Sequence, residues 1–116
     1  MWIDEFGILH TVMQEGMHVT LQDAEAHIMA GLEMCNGEKY PILVNLRKIK
    51  SMERSARAFY AGSNTTRLEK AVAIVTGSPI GQIIGNFFIG LNRSTVPTRL
   101  FTSQEAAMEW LKEFCE

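Results

Sequence analysis

The densest group of side chains able to do chemistry lies in RKIKSMERSAR, residues 47–57. Arg47, Lys48, Lys50, Arg54 and Arg57 stand there against Glu53 alone, with Ser51 and Ser55 between them. The segment follows an apolar strand and opens a helix, whose first N–H groups and dipole favour an anion. In open α/β sheets, sites lie at the carboxyl ends of strands, where this turn falls. Two readings follow. Either Arg54 and Arg57 hold an anion or an acidic protein partner, or the turn is a solvated face with a Glu53–Arg57 pair at i,i+4. Phosphorylation of Ser51 or Ser55 at the helix start would be electrostatically welcome and would add about two negative charges.

The remaining candidates disperse. His10, His18 and His27 fall in different elements without H-x-x-x-H spacing. His10 and His18 would face each other across a hairpin, but two imidazoles lack the third ligand that zinc requires. No metal and no cofactor are expected. Cys35 and Cys115 form no close-spaced motif and read as free thiols of a reducing cytosol, Cys35 on a packed helical face. Glu25, Glu33, Glu105 and Glu109 occupy solvent-facing helix positions. No residue order suggests a Ser-His-Asp or Cys-His set, so the chain reads as a non-enzyme.

A second segment, GSPIGQIIGNFFIG (residues 77–90), has four glycines and no charge. A phosphate-binding P-loop needs Gly-Lys-Ser/Thr, yet Gln82 follows Gly81, and the glycine spacing also fails the dinucleotide fingerprint. A membrane helix needs about 20 apolar residues, and Gln82, Asn86 and Arg93 interrupt this run. An amphipathic helix remains. Ile80, Ile83, Ile84, Phe87 and Leu91 would share the sheet-docking face. Gly81, Gly85, Phe88 and Ile89 would form another arc, open to a neighbouring helix, to a homodimer mate or to an apolar ligand.

These residues need elements to hold them. A chain of 116 residues, 47% hydrophobic and 21% charged, suits a single globular domain over 1–116. A net charge of −2 offers no general case for nucleic acid, and the acidic N-terminus without a basic region reads against a signal peptide. Strand formers over 6–13 and 17–21, separated by Gly16, predict an N-terminal antiparallel hairpin. Thr20 and Asp23 then predict a capped helix running to Asn36-Gly37, with Leu21, Ala24, Ile28, Leu32 and Cys35 inward. Residues 41–46 and 71–77 read as strands covered on both faces. Ser51 is expected to cap a second helix burying Met52, Ala56 and Phe59, and Pro79 to open a third. Residues 98–102 form a short strand, and Thr102 with Glu105 predicts the cap of a last helix burying Ala107, Trp110, Leu111 and Phe114. The order β-β-α-β-α-β-α-β-α implies right-handed crossovers and a mostly parallel α/β sheet.

This order, with KYPILVNLRKIKSMERSARAFYA and PTRLFTSQEAAMEWL, resembles the SpoIIAA-like, or STAS-like, superfamily, nearest its small bacterial members of unassigned function. The likeness covers nearly the whole chain in topology. It implies a cytoplasmic regulatory or protein-interaction module, and some related domains carry lipids or apolar ligands. In the anti-sigma-factor antagonists, a strand-end aspartate precedes an Asp-Ser-x-Gly turn bearing a phosphorylated serine. Here Asn45 stands at the aspartate, and the turn reads Lys50-Ser51-Met52-Glu53-Arg54-Ser55. The implied functions are therefore an interaction module or, alternatively, a carrier or sensor of a small apolar ligand.

Overall fold

A computed structural model describes residues 1–60, 69–90 and 96–115, apart from the side chains of 87–90. Its elements are β1 (Trp2–Ile3), β2 (Leu9–Val12), β3 (His18–Val19), α1 (Leu21–Cys35), β4 (Tyr40–Asn45) and β5 (Ser51–Met52). They continue with α2 (Arg54–Tyr60), β6 (Glu69–Val75), α3 (Pro79–Gly90), β7 (Thr98–Phe101) and α4 (Gln104–Lys112). The result is an α/β domain with a mixed sheet ordered β1-β2-β4-β6-β7. The last four strands are parallel, in register at Leu9↔Ile42, Ile42↔Val72 and Ile74↔Leu100.

Strand alternation divides the core in two. Leu9, Ile42, Val72 and Ile74 point to one face, where Ala24 of α1, Ala56 of α2 and Ile84 of α3 complete the packing. Ile8, Leu43, Ala71, Ala73 and Val75 point to the other, where Ala107 and Leu111 of α4 lie. The central strands are thus apolar on both faces, as their uninterrupted runs require. Ala71 and Ala73 leave room for the large Leu111, which is fully buried.

The first hairpin forms one turn earlier than the sequence predicts. β1 pairs antiparallel with β2 through Trp2↔His10. The reversal is built by Asp4, whose carboxylate accepts the N–H groups of Phe6 (2.9 Å) and Ile8 (3.0 Å), while Gly7 takes φ +83°. Beyond β2 the chain leaves the sheet. Gly16, at φ +73°, donates its N–H to the Lys48 carbonyl, and Lys50 N–H donates to Met17 O, both at 2.9 Å. β3 is thereby drawn onto β5 as a parallel pair, His18↔Ser51 and Val19↔Met52, in a sheet of its own.

Two helix starts also move. Ser51 lies in β5 and not at a cap, and α2 begins at Arg54. The final cap is Ser103, whose Oγ accepts the Ala106 N–H at 3.3 Å; Thr102 precedes it. The α1 start follows expectation. Thr20 and Asp23 form a reciprocal capping box, and Asn36, left-handed at φ 50°, ends the helix.

Candidate functional site

The inward stripe of α1 and the sheet face below it do not meet everywhere. Between them, with α2 closing one side, lies a cavity of about 80 Å³. Its walls are Leu9, Met13, Ile42, Val44, Leu46, Met52, Val72 and Ile74, with Ile28 and Gly31 from α1 above. An outer recess of about 400 Å³ adjoins it, lined by Val12, Gln14, Met17, Asp23 and Ala26. Met1, Thr11, Met13, His27 and Tyr60 line both spaces and so form the boundary between them. The recess alone is within the range of roughly 300–1,000 Å³ usual for ligand sites.

The boundary is a chain of hydrogen bonds. Thr11 Oγ1 lies 3.2 Å from His27 Nε2, and His27 Nδ1 lies 2.8 Å from the Tyr60 hydroxyl. Each group arrives by local periodicity. Thr11 follows Leu9 by two on β2 and therefore shares its face. His27 sits three residues after Ala24 and four before Gly31, inside the α1 stripe. Tyr60 ends α2, four residues after buried Ala56. The His27 and Tyr60 rings meet edge to face, with centroids 5.9 Å apart.

Electrostatics keep the imidazole and the phenol of this boundary uncharged. Burial, and secondarily the N-terminal ammonium, lower the pKa of His27 below its ordinary value. Burial, reinforced by the Asp23 carboxylate, raises that of Tyr60 well above a normal phenol. A neutral imidazole and a protonated phenol therefore face each other at neutral pH. Among the described lining residues, the acidic side chains are Glu69 at the inner space and Asp23 at the outer, and no lysine or arginine side chain lines either.

The sequence singles out other residues. On the basic turn, Arg47, Lys48, Lys50, Arg54 and Ser55 are exposed, whereas Ser51 and Arg57 are half-buried. Ser51 Oγ is hydrogen-bonded to His18 Nδ1, a hydroxyl–imidazole pairing that residue order does not disclose because it depends on the β3–β5 register. The Glu53 carboxylate accepts the Leu21 N–H at 3.0 Å and so ties the turn to the start of α1. At the strand end, Asn45 Oδ1 accepts the Arg47 N–H at 3.0 Å. His10 does not face His18. Its Nε2 is 2.7 Å from Asp4 Oδ2, beneath the stacked ring of Trp2.

The glycine helix is turned relative to expectation. Gly81 and Gly85 are buried, Ile84 packs in the core, and Ile80 and Ile83 point outward, 37% and 58% exposed. A β-carbon on Gly81 would lie 3.1 Å from the Leu46 carbonyl oxygen, and one on Gly85 would overlap Leu100 Cδ1. The small residues therefore let α3 approach the sheet, and Gly81 and Gly85 offer no surface to a dimer mate or ligand. The side chains of Phe88 and Ile89, assigned to the same arc, lie outside the described residues. Both cysteines are free thiols, Cys35 buried and Cys115 half-buried. Among the described residues, no three histidine, cysteine, aspartate or glutamate side chains converge as a metal site, and no helix is long and apolar enough to cross a membrane.

No curated protein matches this chain. Among solved structures it is similar to a protein with unknown function from Arthrobacter sp. FB24, with 29% identity over 95% of this chain and 96% of that one and a TM-score of 0.38. Residues 1–115 match the family model described as a domain of unknown function, DUF7793. The chain belongs to that family.

Proposed function

We propose that this chain is a non-enzymatic, STAS-like binding module of the cytoplasm that takes up a small apolar ligand. One observation carries the reading: an apolar cavity between the sheet and α1, joined to an outer recess across the Thr11–His27–Tyr60 boundary. Apolar walls supply affinity by removing ligand surface from water, at about 25 cal/mol per Å². A few polar groups at the mouth supply orientation. The consecutive parallel order β2-β4-β6-β7, with α1 to α3 on one face and α4 on the other, supports the STAS-like reading. The free thiols Cys35 and Cys115 suit a reducing compartment.

The test is a titration of the protein with toluene, followed through the methyl NMR signals of Leu9, Ile42, Val44 and Ile74. Saturable shifts confined to these residues are expected, and Val44→Phe should abolish them by filling the space. Absence of any shift up to the solubility limit of toluene would refute ligand binding at this site.

A second reading, a regulatory contact with an acidic protein partner, is favoured by the shared exposure of Arg47, Lys48, Lys50 and Arg54. It is compatible with the first, since Met52 of the same turn lines the cavity. Arg54→Glu should abolish recovery of such a partner while leaving the fold intact. Equal recovery by both proteins would remove this surface from consideration.

A further inference from the structure

The direction of the hydrogen bonds at the boundary specifies what the cavity would accept, an inference that rests on the ligand-binding reading above. A phenol is a stronger donor than a hydroxyl or a neutral imidazole, and an imidazole nitrogen is a stronger acceptor than a phenol oxygen. The 2.8 Å separation is thus assigned as Tyr60 O–H donating to His27 Nδ1. The other ring nitrogen of the neutral imidazole then carries the proton. It donates to Thr11 Oγ1 at 3.2 Å, a length suited to N–H···O. Thr11 spends an acceptor lone pair in this contact and retains its own O–H. Thr11 as a residue is almost wholly buried, 5% exposed, and lines both the inner and outer spaces.

We infer that the cavity selects an uncharged ligand whose carbonyl or ether oxygen accepts the Thr11 hydroxyl proton, with the apolar remainder in the inner space. A carboxylate head would meet the Glu69 and Asp23 carboxylates, against which the described lining sets one cation, the Met1 ammonium that already acts on His27. Two carboxylates against one ammonium leave a further anion uncompensated, and burying it is strongly unfavourable. A ligand without any oxygen would fit the walls and leave the Thr11 donor unused. The class selected is therefore a small neutral ketone, ester or ether, with Thr11 as its binding residue.

Three probes of matched ring size separate the possibilities: toluene without a head, acetophenone with a neutral carbonyl, and benzoate with a charge. Their dissociation constants are measured on the full chain at pH 7.5 by methyl NMR. Wild-type protein should bind acetophenone about tenfold more tightly than toluene, the ratio expected for one well-made hydrogen bond. Benzoate should bind more weakly than both. Thr11→Val should bring the acetophenone-to-toluene affinity ratio down to about one, and Thr11→Ser should restore it. As an independent readout, the infrared carbonyl stretch of bound acetophenone should move to lower frequency in wild type and Thr11→Ser. If Thr11→Val does not fold, the wild-type probe series and the Thr11→Ser carbonyl stretch decide. Toluene binding as tightly as acetophenone, or benzoate binding most tightly, overturns the selectivity while leaving a cavity that binds apolar molecules. Failure of all three probes overturns the ligand-binding reading and this inference with it.

Discussion

The Nδ1 atom of His27 lies 2.8 Å from the Tyr60 hydroxyl, so a single hydrogen bond joins the middle of α1 to the last residue of α2 across the cavity mouth. Around this imidazole stand Thr11 from β2, Tyr60 from α2, the Asp23 carboxylate of α1 at the recess and the N-terminal ammonium. Burial and that ammonium hold the folded-state pKa of His27 below 6.5. The unfolded chain consequently binds a proton that the folded chain refuses. The stabilisation is complete above pH 6.5 and is lost as pH falls from there through the folded pKa. Urea unfolding at pH 7.5, 6.5 and 5.5 should show stability dropping by up to about 1.4 kcal/mol per pH unit below 6.5. His27→Gln should flatten that dependence. Equal slopes in the two proteins would show that another group governs it.

Removal of the phenol oxygen tests the same contact without changing charge. Tyr60→Phe leaves His27 Nδ1 without its donor in a half-buried position, which costs about 1–2 kcal/mol. The ring itself still packs against Phe59, at 6.3 Å between centroids. The expected result is a lower urea midpoint with an unchanged denaturant slope. A midpoint equal to wild type would mean that water satisfies the imidazole equally well.

On α3, position decides the outcome more than residue type. Gly85→Leu places a side chain where Leu100 already stands and should destabilise the fold by about 1–3 kcal/mol through overpacking. Ile83→Asp, two residues earlier on the exposed side, should cost less than about 1 kcal/mol. Light scattering should give the same mass for wild type and both variants where they fold. If Gly85→Leu were neutral and changed the oligomeric state, the inward orientation of Gly85 would be wrong.

The contrast on α3 shows what periodicity conveys. A 3.6-residue pattern identifies the helix and places Pro79 at its start, and both features hold. It does not say which of two arcs faces inward when one is aliphatic and the other glycine-rich. Close approach to the Leu46 carbonyl and Leu100 decides that, and neither is a neighbour in sequence. The capping box Thr20–Asp23 was legible because it is local, as were the two-faced strands β4 and β6. The pairing of β3 with β5 was not, because backbone bonds from Gly16 to Lys48 and from Lys50 to Met17 create it. At the cavity, Thr11 carried a signal: it is a polar residue on the otherwise apolar Leu9–Met13 face of β2. His27 carried a weaker one, beside Ile28 within the α1 stripe. Tyr60 became a partner only through the packing of α2 on α1.

Asp4 offers the last test, because one carboxylate organises the whole N-terminal edge. It accepts the N–H groups of Phe6 and Ile8 and meets His10 Nε2 at 2.7 Å. Burial alone would raise its pKa. The His10 hydrogen bond and the two backbone donors outweigh that and hold it below 3.8. A depressed carboxylate pKa stabilises the fold above pH 3.8, and that contribution is lost as pH falls through the folded value. Asp4→Ala should therefore cost about 2–3 kcal/mol at pH 7, the usual range for removing hydrogen bonds to a charged group. The penalty should shrink toward pH 3. The loss should also reach Trp2, whose ring stacks on His10 with centroids 4.7 Å apart and planes within 5°. In a Trp110→Phe background, Trp2 emission reports on that stacking alone. A changed emission in Asp4→Ala, with the far-ultraviolet circular dichroism preserved, would show the edge strand released from a folded domain. Unaltered emission and stability would mean that β1 is held by its two backbone-paired residues without the carboxylate.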